Sequence, residues 1–112
     1  MKRIEAIIRP DKVDDVCMAL DNAGHPGVTL TQVLGRGNQK GWVNQIRGMI
    51  QRVNLLNKIR VEVVVIDGEA DQIVRTIREA ALTGEVGDGK IYVHDMAAAI
   101  RIRTNETGVA AI

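Results

Sequence analysis

Apolar and polar residues alternate from Lys2 to Ile8, the period of a half-buried strand. Pro10 then stands where a first helical turn tolerates it, and Asp11, Asp14 and Asp15 suit the positive end of a helix dipole. Val13, Val16, Cys17 and Leu20 recur at helical spacing, which predicts an amphipathic helix closing at Ala23-Gly24. After the turn His25-Pro26-Gly27, the β-branched run Val28 to Leu34 reads as a second strand. A third spans Ile59 to Ile66, an apolar run interrupted by Arg60 and Glu62 and ended by Asp67-Gly68. From about Glu69 to Leu82 a second helix puts Ile73, Val74, Ile77, Ala80 and Ala81 on one face and the solvated charges Arg75, Arg78 and Glu79 on the other. Thr83-Gly84 closes it, Ile91 to Val93 forms a fourth strand, and Asp95 suits the N-cap of a short helical turn over Met96–Ala99.

The order is βαβ, a long connection, then βαβ. It predicts an α+β domain of the ferredoxin-like, split-βαβ kind, with two helices on one face of an antiparallel sheet. One such domain accounts for residues 1–112. Between the halves, residues 35–58 include roughly 20 without a place in the sheet, where compact domains use about 4–6. Val43, Ile46, Ile50 and Val53 have the spacing of a third helix, which Gly48 would weaken by about 1 kcal/mol. The other reading is a functional loop, and both stay open here.

Composition removes several classes. The formal net charge of +1 argues against duplex DNA as a partner. With no Phe, one Trp (Trp42) and one Tyr (Tyr92), the chain lacks the sheet aromatics on which single-stranded RNA stacks. No apolar run approaches the roughly 18 residues of a membrane span, and Glu5 stands where a signal peptide needs an apolar core. The lone Cys17 excludes an intrachain disulfide, fits a reducing cytoplasm and reads as a buried structural thiol.

The stretch with most chemistry is Thr83-Gly84-Glu85-Val86-Gly87-Asp88-Gly89-Lys90. Three glycines in six residues let backbone N–H groups converge on an anion, and the lysine adds a mobile positive charge. A plain turn before a strand is the bland alternative. His25 and His94 lack partners at metal-ligand spacing and read as ordinary turn and strand-end residues.

Four segments taken together carry a resemblance: Ile4-Glu5-Ala6-Ile7-Ile8-Arg9-Pro10, Gln39-Lys40-Gly41, Thr83 through Val93, and Arg101-Ile102-Arg103-Thr104. Over its whole length the chain resembles the PII nitrogen-regulatory signal proteins. The resemblance implies a cytoplasmic homotrimer that binds ATP or ADP between subunits. It also implies a T-loop over about 36–55, a B-loop over about 83–90 and a C-terminal segment over about 101–112. Carried over by position, Thr29, Glu62 and Val64 would serve adenine and ribose. Gly35, Gly37, Asn38 and Gln39, with Gly87, Asp88, Gly89 and Lys90, would lie along the phosphates, and Arg101 and Arg103 would come from the adjacent subunit. Gln39 would ligate a magnesium ion held by ATP phosphates, with 2-oxoglutarate completing the shell and Lys58 pairing with its distal carboxylate. Backbone N–H groups at Gln39, Lys40, Gly41 and Gly87 would assist.

The long loop departs from the best-known family pattern. Gln51 replaces a tyrosine that other members uridylylate and has no hydroxyl to modify; Met49 likewise replaces a phosphorylated serine. Asn38 replaces an arginine that helps hold phosphates, which would retune ATP binding. Arg47 is kept where transporter-blocking members insert an arginine, and Trp42, Ile46, Met49 and Ile50 make the loop apolar enough for a protein partner. An ammonium transporter, a nitrogen-assimilation enzyme and a nitrogenase component all remain as targets, so any membrane contact would be made through a transporter. A nitrogenase-associated paralogue, a nucleotide-hydrolysing enzyme on the same fold and a purely structural trimer module are the competing readings. The enzyme would need a base near the phosphates, and Glu85 and Asp88 are the nearest carboxylates in sequence.

Overall fold

The computed structural model describes residues 1–36, 42–46, 49–53 and 55–112; over 42–46 and 49–53 it describes the backbone pairing alone. Among the described residues, six strands and two α-helices follow in the order β1 (Lys2–Ile8), α1 (Val13–Asn22), β2 (Thr29–Gly35), β3 (Trp42–Ile46), β4 (Met49–Val53), β5 (Leu56–Val65), α2 (Ala70–Ala81) and β6 (Lys90–Asp95). A four-stranded antiparallel sheet has the order β2-β5-β1-β6. Each helix crossover therefore skips one strand, which is the split-βαβ, ferredoxin-like arrangement the pattern predicts.

Strand alternation sets the two faces. Ile4, Ala6 and Ile8 of β1 and Val61, Val63 and Val65 of β5 point toward the helices and are buried. They meet Val16 and Leu20 of α1 and Ala70, Ile73, Ile77 and Ala81 of α2, forming one core. Both helices begin as a single turn of 3₁₀ helix, at Pro10–Lys12 and Asp67–Glu69. Helix α1 ends as the Ala23-Gly24 signal requires. Gly24 takes φ +86°, and the N–H groups of Gly24 and His25 donate to the carbonyls of Asp21 and Leu20 at 3.0 and 2.8 Å.

Three expectations change. The described residues here form no third helix: Trp42–Ile46 and Met49–Val53 pair as antiparallel strands outside the main sheet. Val43 and Ile46 fall on one strand and Ile50 and Val53 on the other, so a helix-like spacing is taken up by a β-ribbon rich in β-branched residues. No helical turn starts at Asp95. Strand β6 runs through that residue, its carboxylate receives the Lys2 ammonium, and the Met96 N–H donates to the Met1 carbonyl at 3.1 Å. Four good helix formers do not repay the nucleation of a helix against those bonds. Cys17, expected in the core, is only half buried, because the buried stripe of α1 runs through Val16 and Leu20. Its thiol is pushed up by that burial and by Asp21 and Asp14.

Among the described residues no helix is long and apolar enough to cross a membrane.

Candidate ligand cleft at one end of the sheet

Among the described residues no helix covers the second face of the sheet. Residues of β5 and β2 that share it include Lys58, Arg60, Glu62 and Val64, opposite Val33, Thr31 and Thr29. Glu5 and Glu62 are direct cross-strand partners, a juxtaposition of like charges that costs stability when uncompensated. Two basic side chains sit beside them: His94 Nε2 lies 3.3 Å from Glu5, and Arg60 Nε lies 3.2 Å from Glu62. Neither nitrogen makes a hydrogen bond there, so only proximity links each to its carboxylate.

At the Ile8–Lys90 end of this face lies a cleft of about 360 Å³. Gly35 and Arg36 at the end of β2, Lys58 of β5, and Gly87, Gly89 and Lys90 of the glycine-rich loop surround it. Leu56, Val86 and Tyr92 give it an apolar side. Size and lining fit a small-molecule site with a few convergent polar groups.

The loop's shape comes from one carboxylate. Asp88 accepts from the Thr83 hydroxyl, from the N–H groups of Thr83 and Gly84 at 2.9 Å each, and from Arg9 Nε at 3.1 Å. Those bonds, the Thr83 hydroxyl foremost, hold its carboxyl far below the usual carboxylate range. Gly84, Gly87 and Gly89 all take positive φ, from +87° to +103°, which explains the three glycines. At Gly89 space is also decisive: a Cβ there would lie 1.7 Å from the Ile7 carbonyl oxygen. The Lys58 ammonium donates to the Gly87 carbonyl. Burial, then Arg9, lowers its pKa, while Asp88 and Asp11 oppose the shift.

Of the expected site residues, this cleft gathers Gly35, Lys58, Gly87, Gly89 and Lys90, with Asp88 behind the loop as its organiser. Thr29, Glu62 and Val64 are not part of it. Thr29 pairs with Glu62, four residues along β5 from Lys58 and so about 13 Å away at strand rise. Arg101 and Arg103 lie beyond the opposite end of β6, on an exposed turn closed by the Ile100–Thr107 bridge. Arg101 Nη1 is 3.9 Å from Glu106. Within one chain the cleft therefore does not gather the second set: Thr29 and Glu62 lie in a row at mid-sheet, and the two arginines lie beyond the far end of β6. Gly37, Asn38, Gln39, Lys40, Gly41 and Arg47 lie outside the described residues, as do the side chains of Trp42, Ile46, Met49 and Ile50.

Sequence reading gave Arg9 no role. Its guanidinium holds both Asp88 and the Val86 carbonyl, the latter at 2.8 Å, and so anchors the loop across β1. A cation at a strand end just before Pro10 was the available signal. Each histidine has a carboxylate neighbour from a distant element: His25 bonds Glu69 at 2.6 Å, and His94 faces Glu5. Among the described residues no metal-binding cluster of His, Cys, Asp and Glu forms.

Known proteins share both the sequence and this architecture. The family model described as Nitrogen regulatory protein P-II matches residues 1–106. The chain is 49% identical to the Nitrogen regulatory protein P-II of Rhizobium meliloti and 50% identical to that of Klebsiella oxytoca, in each case over all 112 residues and the whole relative. Among solved structures it is similar to Arabidopsis thaliana PII bound to citrate, with a TM-score of 0.81 and 36% identity, covering 99% of this chain and 91% of that one. With a glycine-rich loop on a split-βαβ sheet and near-half identity to regulators over the full length, the chain belongs to the nitrogen regulatory protein P-II family.

Proposed function

We infer that the protein is a cytoplasmic, non-enzymatic sensor of the PII type, working as a homotrimer. ATP or ADP binds between subunits, magnesium and 2-oxoglutarate join ATP, and occupancy sets the conformation of the T-loop over about 36–55, which contacts a target protein. The carrying observation is that the cationic and polar groups fall in two separate places on one sheet. Lys58, Lys90 and the glycine-rich loop stand at one end, while Thr29, Glu62, Val64, Arg101 and Arg103 stand elsewhere. A boundary between copies can bring the second group of one chain against the loop and Lys90 of the next, with the nucleotide between them. Loop N–H groups and Lys90 then serve the phosphates, with Gly35, Gly37, Asn38 and Gln39 along the strand-to-loop exit.

The donor set favours a cation that arrives with the nucleotide. Among the described residues no metal-binding cluster forms, and the Asp88 oxygens are already engaged. Gln39 would supply an amide oxygen, and magnesium would neutralise phosphate charge while offering open positions to a 2-oxoacid. Lys58 would pair with the distal carboxylate, helped by the N–H groups of Gln39, Lys40, Gly41 and Gly87. The same engagement of Asp88 argues against hydrolysis, since a carboxylate so stabilised as an anion makes a poor general base.

With Gln51 in place of a modifiable tyrosine, ligands alone would regulate the loop. Through Trp42, Ile46, Arg47, Met49 and Ile50 it would engage an ammonium transporter, a nitrogen-assimilation enzyme or regulator, or a nitrogenase component. Calorimetric titration of 2-oxoglutarate with magnesium and ATP, then with ADP, tests the reading. Heat with ATP alone is expected, and absence of any nucleotide binding would remove it.

A further inference from the structure

Two basic side chains hold consecutive carbonyl groups of the glycine-rich loop. Arg9 Nη2 donates to the Val86 carbonyl at 2.8 Å, and the Lys58 ammonium donates to the Gly87 carbonyl. The two grips differ in where they stand. Lys58 lines the cleft, whereas Arg9 stands outside its lining and shares its guanidinium with Asp88, 3.1 Å from Nε. Nε and Nη2 form one edge of the guanidinium, so a pair of parallel donors fixes the Val86 carbonyl and the Asp88 carboxylate relative to each other.

That grip decides where the loop's donors point. Among the described residues every peptide bond is trans, and in a trans peptide the carbonyl of one residue and the N–H of the next point in opposite directions. With its carbonyl held by Arg9, Val86 turns the Gly87 N–H away from Arg9. With the Gly87 carbonyl held by Lys58, the Asp88 N–H is turned away from Lys58. Gly87 itself has φ +103° and no side chain to resist rotation, so these grips supply an orientation that the residue does not impose. An anion entering the cleft competes with the Gly87 carbonyl for the Lys58 ammonium. It does not compete for Arg9, which stays on Val86.

We propose that Arg9 is a positioning residue for anion binding: its hold on Val86 aims the Gly87 N–H at the ligand and keeps it aimed when Lys58 exchanges the Gly87 carbonyl for that ligand. The role rests on the reading of the cleft as the phosphate and 2-oxoglutarate site.

The test is calorimetry of ATP, and of 2-oxoglutarate with magnesium and ATP, on the full-length protein, on Arg9→Met and on Arg9→Lys. Thermal midpoints and amide NMR shifts are taken on the same samples. Arg9→Lys keeps the charge but replaces two parallel donors by a point charge. Expected is a loss of about tenfold or more in affinity in Arg9→Met, the worth of one charge-assisted bond, of which Arg9→Lys recovers little. At saturating ligand the Gly87 amide resonance should move downfield in the parent and stay near its free position in both variants, while that of Lys90 still moves. Parent-like affinity in Arg9→Lys would reduce the role to charge and overturn the proposal. So would a full ligand-induced Gly87 shift in Arg9→Met. If Arg9→Met loses thermal stability, Arg9→Lys decides alone. A parent that binds no ATP removes the nucleotide reading and this role together, whereas a binding parent with indifferent variants removes the role only.

Discussion

The ammonium of Lys58, on the central strand β5, is bonded to the carbonyl oxygen of Gly87 at the crown of the glycine-rich loop. One side chain thus ties the sheet to the loop and occupies the cleft between them. Half-burial and the nearby Arg9 already disfavour its charge, so an incoming carboxylate would find a cation short of compensation. Replacing it by methionine keeps the stem and removes the charge. Lys58→Met is expected to leave the thermal midpoint within a few degrees of the parent, because relief of desolvation offsets the lost bond. It should weaken 2-oxoglutarate more than ATP; calorimetry of both ligands on one preparation checks the order.

Asp88 makes the loop sensitive to acid. Its folded-state pKa lies well below the ordinary 3.8, so its contribution to stability is present above that value and is lost as pH falls below it toward the folded pKa. Denaturant unfolding from pH 7 down to pH 3 should show stability dropping at the acid end. In Asp88→Asn the fold is weaker at pH 7 and the acid limb is flatter. Parallel curves for parent and variant would contradict the role given to this carboxylate.

Two glycines of the loop are expected to differ sharply on replacement by alanine. Gly84 has φ +87° with open space where a Cβ would go, so Gly84→Ala pays backbone strain alone, about 1–2 kcal/mol. Gly89 has φ +99° and a backbone oxygen 1.7 Å from the Cβ position. Gly89→Ala must move β1 or the loop and should cost at least about 3 kcal/mol or prevent folding. Urea denaturation of the two variants side by side gives the comparison.

Lys90 is exposed and, among the described residues, makes no ion pair, so Lys90→Ala should not change stability measurably. Its expected effect is on affinity alone, a weakening of ATP and ADP by about tenfold, the size of one charge-assisted contact. Gln39→Ala is expected to lower 2-oxoglutarate affinity selectively. Equal loss of nucleotide and 2-oxoglutarate in that variant would count against an amide ligand to magnesium.

The two βαβ halves could be read from periodicity because core and surface alternate cleanly. Ile4, Ala6 and Ile8 at period two, and Ile73, Ile77 and Ala81 at helical spacing, each name the buried face without reference to a partner. The pairing of 42–46 with 49–53 could not be read this way. Its apolar positions satisfy a helical spacing and a strand pairing alike, and no sheet neighbour in the sequence arbitrates. Asp95 misled for a related reason, since a residue able to cap a helix equally serves as the acceptor for Lys2 across β1 and β6.

Sequence alone determined the glycine-rich loop, the strand and helix order, and the residue types able to meet an anion, because these depend on neighbours within a few positions along the chain. The tertiary structure alone decided that Asp88 builds the loop, that Arg9 anchors it and that Lys58 reaches it. It alone left Thr29, Glu62 and the C-terminal arginines outside the cleft that holds Lys90 in the same chain. Arg9 and Asp88 are 79 residues apart in sequence, and Lys58 and Gly87 are 29. Charges separated so far along a chain acquire a meeting point only when a buried sheet fixes strand order and register, and no local pattern encodes that distance.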